Sequence, residues 1–462
     1  MSEEGLRAAQ AKMTEAGVTP EAIEVFAHYY RLVESGETGM VPESTIEPLD
    51  MEALADVEVA ETAAREAIAT TAVVKLNGGL GTSMGMDRAK SLLEVHDGHT
   101  FVDIIARQVL ALRKKYDAPL PLVFMNSFRT RDDTLEVLAR YPDLQVGDLP
   151  LDFLQNKEPK LRADDLTPVE WTQAPELEWC PPGHGDLYPA ASASGLLDRL
   201  ADSGCTQVFV SNSDNLGAVP DARVAGWFAQ SGAPIAIEAV RRTSSDRKGG
   251  HFARRVADGR IVLRESAQTL DEDKDALADL DRHRFTSTNN LWFDLAAMRE
   301  ELNRRDGILG LAMIKNTKHV DSADPSSPEV IQIETAMGAA IEVFDGATTI
   351  EVGRDRFVPV KTTNDLLVLR SDFYQLREDF VLEQVAESVP YVDLDAAHYK
   401  FIGGFDDRFP DGVPSLREAE SFTVHGDWAF EADVSVVGDV VVEPPDSDGQ
   451  GVIAAGSRLG AR

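Results

Sequence analysis

Val73-Val74-Lys75-Leu76-Asn77-Gly78-Gly79-Leu80-Gly81-Thr82-Ser83-Met84-Gly85, with Lys90 five residues further on, decides how this chain is read. An apolar run suited to a buried strand feeds straight into a loop with four glycines among eight residues. Backbone without side chains approaches a ligand closely, and successive N–H groups can point at phosphate oxygens. Lys90 adds a full positive charge where bound phosphates would sit. The loop is not a Walker loop, because it lacks the Gly-Lys-Ser/Thr ending, and its glycines do not read Gly-x-Gly-x-x-Gly. Taken alone, the segment reads equally well as a glycine-rich turn between a strand and a helix.

Working outward, the pattern after Val73 alternates between strand and helix. Leu122-Val123-Phe124-Met125, Val208-Phe209-Val210 and Ile235-Ala236-Ile237 are short apolar runs of buried-strand type. Between the first of them and the glycine loop, Val102, Ile105, Val109 and Leu112 are spaced like one face of a helix. This alternation predicts an α/β fold with an open, mostly parallel sheet covered on both faces. Ligands collect at the carboxyl ends of such strands. The glycine loop follows one strand end and Asn212-Ser213-Asp214 follows another, so the two are expected to face one cleft.

Before this core, residues 2–36 read as helix, Pro42 and Pro48 break the chain, and Met51 to Thr70 resumes an Ala/Glu-rich helical pattern. After about residue 385 the period changes. Val424, Phe430, Val436 and Val442 recur every six residues, as do Trp428, Val434 and Val440, and Gly426, Ala432 and Gly438. Two apolar residues and one small residue per hexad mark a parallel β-helix. The spacing predicts about one coil of it; a few ordinary strands sharing a spacing is the alternative. The expected division is therefore 1–70, a helical region; 71–380, the main α/β unit; and 385–462, the hexapeptide unit.

At 462 residues the chain exceeds one compact core. Asp and Glu total 79 against 45 Lys and Arg, a formal net charge of −34, which argues against non-specific binding to nucleic acid or an anionic membrane. The acidity fits either a high-salt interior, where screening shortens self-repulsion, or a plain solubility bias. No apolar run approaches the roughly 20 residues needed to span a bilayer. Met1-Ser2-Glu3-Glu4 reads without a secretory leader, and Cys180 and Cys205 read as reduced thiols, so a cytoplasmic location is expected. Only 13 lysines are present, and eight (Lys75, Lys90, Lys157, Lys160, Lys248, Lys315, Lys318 and Lys361) fall in or beside the motif segments. A chain this acidic that handles phosphates must gather its positive charge locally.

Further segments are rich in glycine and polar groups. Pro181-Pro182-Gly183-His184-Gly185-Asp186 joins close backbone approach to an imidazole and a carboxylate, though a lone histidine there is as readily a hydrogen-bonded loop residue. Asp214, just past a strand end, is placed to hold a hard cation such as Mg²⁺, or else to form an Asx-turn capping the next helix. Lys248-Gly249-Gly250 offers another close approach, Thr288-Asn289-Asn290-Leu291-Trp292 supplies amides suited to sugar hydroxyls, and Gln332 to Gly338 reads as the opening of a helix. Arg356-Phe357-Val358-Pro359-Val360-Lys361 places Lys361 at the end of an apolar run.

In this order, these segments resemble the UTP–glucose-1-phosphate uridylyltransferase (UDP-glucose pyrophosphorylase) family of the eukaryotic type, over about residues 70 to 375. The resemblance implies a central nucleotide-binding sheet, Rossmann-like and GT-A-like, with N-terminal helices and a small C-terminal left-handed β-helix. It implies that Leu76, Asn77, Gly78 and Gly79 hold the uridine and its phosphates through main-chain groups. Gln155, helped by Gly183, would read the uracil edge. Lys90 and Lys361 would bind the triphosphate and stabilise charge during transfer, and Asp214 would hold Mg²⁺. Asn212 would lie near the sugar, His184 against the phosphates, and Gly250, Glu265 and Asn289 or Asn290 against the glucose hydroxyls. The implied substrates are UTP and glucose 1-phosphate, joined with release of pyrophosphate. Sister activities on other sugars (a UDP-sugar or UDP-N-acetylhexosamine pyrophosphorylase) and a non-catalytic nucleotide-sugar sensor are the alternatives.

Three places depart from the family pattern: Ala89 stands where proline is usual before Lys90, Ser213 replaces a more usual apolar residue, and the tail stops soon after the third hexad, at Arg462. Family members that build large oligomers use a longer β-helix end, so a monomer or small oligomer is implied.

Overall fold

The computed structural model describes residues 2–247, 249–321, 324–386, 388–446 and 449–460, so Lys248 lies outside the described residues. Seven strands form the central sheet: β1 (Thr71–Asn77), β2 (Leu122–Asn126), β3 (Asp152–Leu154), β4 (Gln207–Asn212), β5 (Ile235–Arg241), β6 (Phe285–Asp294) and β7 (Thr348–Glu351). Their spatial order is β7-β5-β6-β4-β1-β2-β3. Only β6 runs against its neighbours; every other adjacent pair is parallel. The sheet is thus mostly parallel, and six strands end along one edge.

Both faces are covered, which explains why the strands read as apolar runs rather than as alternation. Val73, Phe124, Phe209, Trp292 and Ile350 face one layer, packed with the helix Phe101–Tyr116 and the helix Ala222–Ser231. Val74, Leu76, Val123, Val208, Val210 and Leu291 face the other, packed with Leu187, Leu197, Leu200 and Met298. Phe101–Tyr116 shows why such helices start and stop where they do. Thr100 and Asp103 form a reciprocal capping box, three basic residues occupy the last turn, and Asp117 closes it at φ 54.

The amino-terminal stretch read as one helix over 2–36 is two, Ser2–Glu15 and Pro20–Glu34. Gly17 turns left-handed at φ 73 and Thr19 caps the second helix through its side chain, with Pro20 at the first helical position. Of the helical reading over 51–70, only Glu61–Ala69 forms an α-helix. The segment Gln332–Gly338 is no helix opening: Glu329–Thr335 is a strand, bonded on one side to Met313–His319, and a 3₁₀ turn begins at Met337.

Beyond residue 390, Tyr391–Leu394, Ser415–Val424, Ser435–Val442 and Arg458–Gly460 stack in parallel, as do Trp428–Phe430 and Gly451–Ile453. Val424 lies opposite Val442, eighteen residues on, so three hexads separate one layer from the next. Val424, Phe430, Val434, Val436, Val440 and Val442 are all buried. Among the described residues, no helix is long and apolar enough to cross a membrane, and Cys180 and Cys205 are free and buried.

Candidate active site

Parallel pairing puts Asn212 opposite Leu76, so the glycine loop and the Asp214 segment leave adjacent strands side by side. The Asn77 side chain is 2% exposed and fully engaged. Its Nδ2 donates to Asn126 Oδ1 at 2.8 Å and Thr134 Oγ1 at 2.9 Å, and its Oδ1 accepts from Ser213 Oγ at 2.9 Å. The loop's carbonyls are engaged as well. Leu76 O accepts from Ser213 N (3.0 Å), Asn77 O from Thr130 Oγ1 (2.8 Å), Gly78 O from Ser127 Oγ (3.1 Å) and Gly79 O from Lys90 N (3.1 Å). By contrast, no described residue accepts from the N–H groups of Gly78, Gly79, Leu80 or Gly81. The loop therefore spends its acceptors inward and keeps a row of donors, the arrangement an anion needs. A methyl group on Gly79 would meet nothing within 4 Å, whereas one on Gly78 would lie 2.6 Å from Gln155 Oε1.

Gln155 follows β3, and its Nε2 donates to Gly183 O at 2.8 Å, joining two segments that are 28 residues apart. Gly183 sits at φ 79, and a Cβ there would lie 2.5 Å from Thr335 O, so both conformation and space demand glycine. The next residue, His184, accepts from Met337 N through Nδ1 at 3.0 Å. Burial lowers its pKa to about 4, so the ring is neutral at pH 7 and carries its proton on Nε2.

Lys90 Nζ donates to Asp214 Oδ2 at 2.8 Å and also to Val360 O. Asp214 O accepts from Val360 N at 3.1 Å, and Asn215 bridges to Pro359. Three segments far apart in sequence thus meet, and Lys361 emerges from the junction with an exposed side chain. Asp214 is not the cap of the following helix, since Asp221 caps Ala222–Ser231 instead. Its other carboxylate oxygen has no hydrogen-bond partner among the described residues. Among the described residues no group of three or more His, Cys, Asp or Glu could hold a metal. The donor set here is one carboxylate, which suits Mg²⁺ shared with phosphate oxygens and water rather than a protein cage.

On the far side of β4, the two asparagines of β6 separate. Asn290 is fully buried, its Nδ2 donating to Glu238 Oε2 at 3.0 Å and its Oδ1 facing Asn215 Nδ2 at 3.4 Å, so it is a sheet-holding residue with no amide to spare for a sugar. Asn289 is half-buried at φ 57, beside the register shift where β5 and β6 pair, and asparagine tolerates this left-handed conformation. Gly250 runs against Glu265, where a Cβ would lie 2.8 Å from the Glu265 carboxylate. Burial raises the Glu265 pKa, and the Lys361 charge opposes that rise, which brings Lys361 and the Gly250–Glu265 pair into one field. Asn212 is half-buried at the carboxyl end of β4.

Sequence reading did not single out Glu238, a buried carboxylate that accepts from Asn290, from Trp292 Nε1 at 2.9 Å and twice from Arg356 at 2.6 Å. An acidic residue inside an otherwise apolar strand, Ile235-Ala236-Ile237-Glu238-Ala239, was its only signal. The lysines divide too. Lys75 is 1% exposed, bonded to Ser211 Oγ and Ala218 O at 2.7 Å each, and Lys160 is buried against Val320 O. Of the motif lysines among the described residues, Lys90 and Lys361 are the two that the structure brings to the Asp214 junction.

The sequence profile described as UTP–glucose-1-phosphate uridylyltransferase matches residues 23–437. The Hordeum vulgare protein of that name is 36% identical over 451 residues, covering 95% of this chain and 92% of its own length. The Saccharomyces cerevisiae protein is 37% identical over 374 residues, with 80% and 73% covered. Among solved structures, a mutant UDP-glucose pyrophosphorylase from Leishmania major in complex with UDP-glucose superposes with a TM-score of 0.92 at 43% identity, with 98% of each chain covered. The Trypanosoma brucei UDP-glucose phosphorylase gives 0.91 at 40% identity, with 99% of this chain and 98% of that one covered. With a match over most of its length in both sequence and fold, this chain belongs to the UTP–glucose-1-phosphate uridylyltransferase family.

Proposed function

We propose that this chain is a nucleotidyltransferase that joins UTP and glucose 1-phosphate into UDP-glucose and releases pyrophosphate. The observation that carries this reading is the junction of Lys90, Asp214 and the Val360–Lys361 segment beside a row of unengaged loop N–H groups. The nucleophile is a phosphate oxygen of glucose 1-phosphate, attacking the α-phosphorus of UTP. It is ionised near neutral pH, because the second pKa of a phosphomonoester is about 6, so no general base is required. The obstacle is the meeting of two polyanions, and fixed positive charge where charge develops lowers it.

In this reading the N–H groups of the Gly78–Gly81 loop cradle the nucleotide phosphates, and Gln155 with Gly183 reads the uracil edge. Leu76 and Asn77 place the loop: Asn77 acts through its locked side chain, and its carbonyl is spent on Thr130. Lys90 and Lys361 hold the triphosphate, and Lys361 follows the departing charge. His184 presents a neutral Nε2–H donor. Asn289, Asn212, Gly250 and Glu265 line the sugar end; Asn290 supports them from behind. Asp214 would hold Mg²⁺ through its free oxygen while Lys90 keeps the other. When bound, the ion supplies charge neutralisation to the phosphates.

We assign residues 1–70 as the N-terminal helical unit, 71–380 as the catalytic unit and 385–462 as a small left-handed β-helix, the last supported by the eighteen-residue parallel offset. A cytoplasmic enzyme, monomeric or a small oligomer, fits the two free cysteines and the acidic composition. The test is to incubate the protein with Mg²⁺ and UTP and to follow pyrophosphate with and without glucose 1-phosphate. Galactose 1-phosphate and N-acetylglucosamine 1-phosphate serve as substitutes. Release that requires both UTP and glucose 1-phosphate is the expected result. Release driven only by another sugar phosphate would move the chain to a sister activity, and none with any pairing would sink the enzyme.

A further inference from the structure

Behind the Gln155–Gly183 pair lies a second bond set that joins the same two segments. Asp186 is 4% exposed, and both its carboxylate oxygens are spent on one residue: Oδ2 accepts from Asn156 N at 2.6 Å and Oδ1 from Asn156 Nδ2 at 2.9 Å. Asn156 directly follows Gln155, and Asp186 lies three residues after Gly183, whose carbonyl accepts from both Gln155 Nε2 and Asp186 N, the latter at 3.3 Å. The two segments are therefore locked by a rigid two-point bond one residue behind the contact that Gln155 makes. On its other side the 182–186 loop is clamped by Thr335 N to Pro182 O at 2.9 Å and by Met337 N to His184 Nδ1. Among the described residues the Gln155 side-chain amide makes one hydrogen bond, to Gly183 O, so its direction depends on the backbone beneath it.

We propose that Asp186 is the specificity-positioning residue for the base of the nucleotide, holding Gln155 and Gly183 in the geometry that tells uracil from cytosine. The inference rests on the reading that Gln155 and Gly183 meet the base edge. Uracil offers an N3–H donor beside a carbonyl acceptor, and cytosine offers an acceptor beside an amino donor. A side-chain amide discriminates the two only if its orientation is fixed, because a free amide turns to suit either. The Asp186–Asn156 bonds supply that fixation at the backbone, without touching the base. No other described carboxylate reaches this segment by a hydrogen bond.

The test compares Asp186→Asn, Asn156→Ala and Gln155→Ala with the parent enzyme, measuring kcat and KM for UTP, CTP and glucose 1-phosphate. Asp186→Asn keeps the shape but turns an N–H₂ toward a donor. It is expected to raise the UTP KM about tenfold and to cut the UTP-over-CTP preference by a similar factor, with kcat held within about twofold. The glucose 1-phosphate KM should not move. Asn156→Ala should shift the same parameters in the same direction, and it decides the matter if Asp186→Asn does not fold. An unchanged base preference in these two variants, with preference lost in Gln155→Ala, overturns the positioning role and leaves uracil reading by Gln155 standing. A loss of kcat and of affinity for both substrates alike would also overturn it, as a general structural defect. Preference retained in Gln155→Ala would remove the uracil reading itself, and the inference with it.

Discussion

Arg356 meets Glu238 through two parallel hydrogen bonds of 2.6 Å, in a part of the sheet where Glu238 is wholly buried. Burial works against the Arg356 charge and the carboxylate more than offsets it. From this pair the contacts run outward to both halves of the site. Asn290 bonds Glu238, Arg356 Nη1 donates to Val219 O at 2.9 Å, and Asn215 ties Arg356 O to Val358 N. Glu238→Ala would leave a buried guanidinium uncompensated beside the Lys75 amine. The expected cost is about 3–5 kcal/mol, read as a lower midpoint in urea unfolding. A loss below about 1 kcal/mol would show that solvent reaches this pair.

Lys361 has an exposed side chain, and its main-chain N–H, which donates to Asp365 Oδ2 at 2.7 Å, survives substitution. Lys361→Ala should therefore melt like the parent while its turnover falls roughly a hundredfold or more, since it withdraws charge from the transition state. Parent-like turnover would remove Lys361 from the transfer step.

Gly79 has open space where a Cβ would go, and Gly183 has a carbonyl 2.5 Å away at φ 79. The two substitutions to alanine should therefore part company. Gly79→Ala folds with parent stability but raises the UTP KM, because its methyl group occupies the donor row. Gly183→Ala loses about 1–3 kcal/mol of stability, because a left-handed position and a close backbone both resist the methyl group. Equal melting temperatures for the two would contradict this.

Lys75 has its pKa lowered to about 7, chiefly by burial and further by Arg356, against the pull of Glu238. In the unfolded chain a lysine titrates near 10.4. Between these values the unfolded chain holds one more proton, so this group makes stability rise with pH across the window. Lys75→Met removes the effect. Relative to that variant, the parent should gain up to about 2 kcal/mol between pH 7 and pH 9. Parallel stability curves for the two proteins across that range would refute the lowered value.

The strands of the central sheet were legible because two covered faces force continuous apolar runs, and Val73–Leu76, Leu122–Met125 and Val208–Val210 are such runs. The neighbouring ends of β1 and β4 followed from the same alternation. The helix readings failed where composition was the only guide. Ala and Glu between Met51 and Ala60 favour helix locally, yet Ala53 instead forms a bridge to Glu351, a partner 298 residues away. The β-strand Glu329–Thr335 was missed for the same reason, since its pairing with Met313–His319 and Leu161–Arg162 is set by register.

At the site, the sequence by itself determined which residue types are present and in what order: glycines where donors must be bare, a carboxylate past a strand end, and lysines in a chain short of them. That much is local chemistry, carried by each segment alone. Only the tertiary structure decided how they divide. It leaves Asn289 half-buried in a left-handed conformation and puts Asn290 into the sheet, keeps Lys75 as an inward bolt and Lys90 as a partner of Asp214, and gives His184 a neutral ring. Burial and the identity of a hydrogen-bond partner are properties of distant segments brought together, and no window of sequence around a residue contains them.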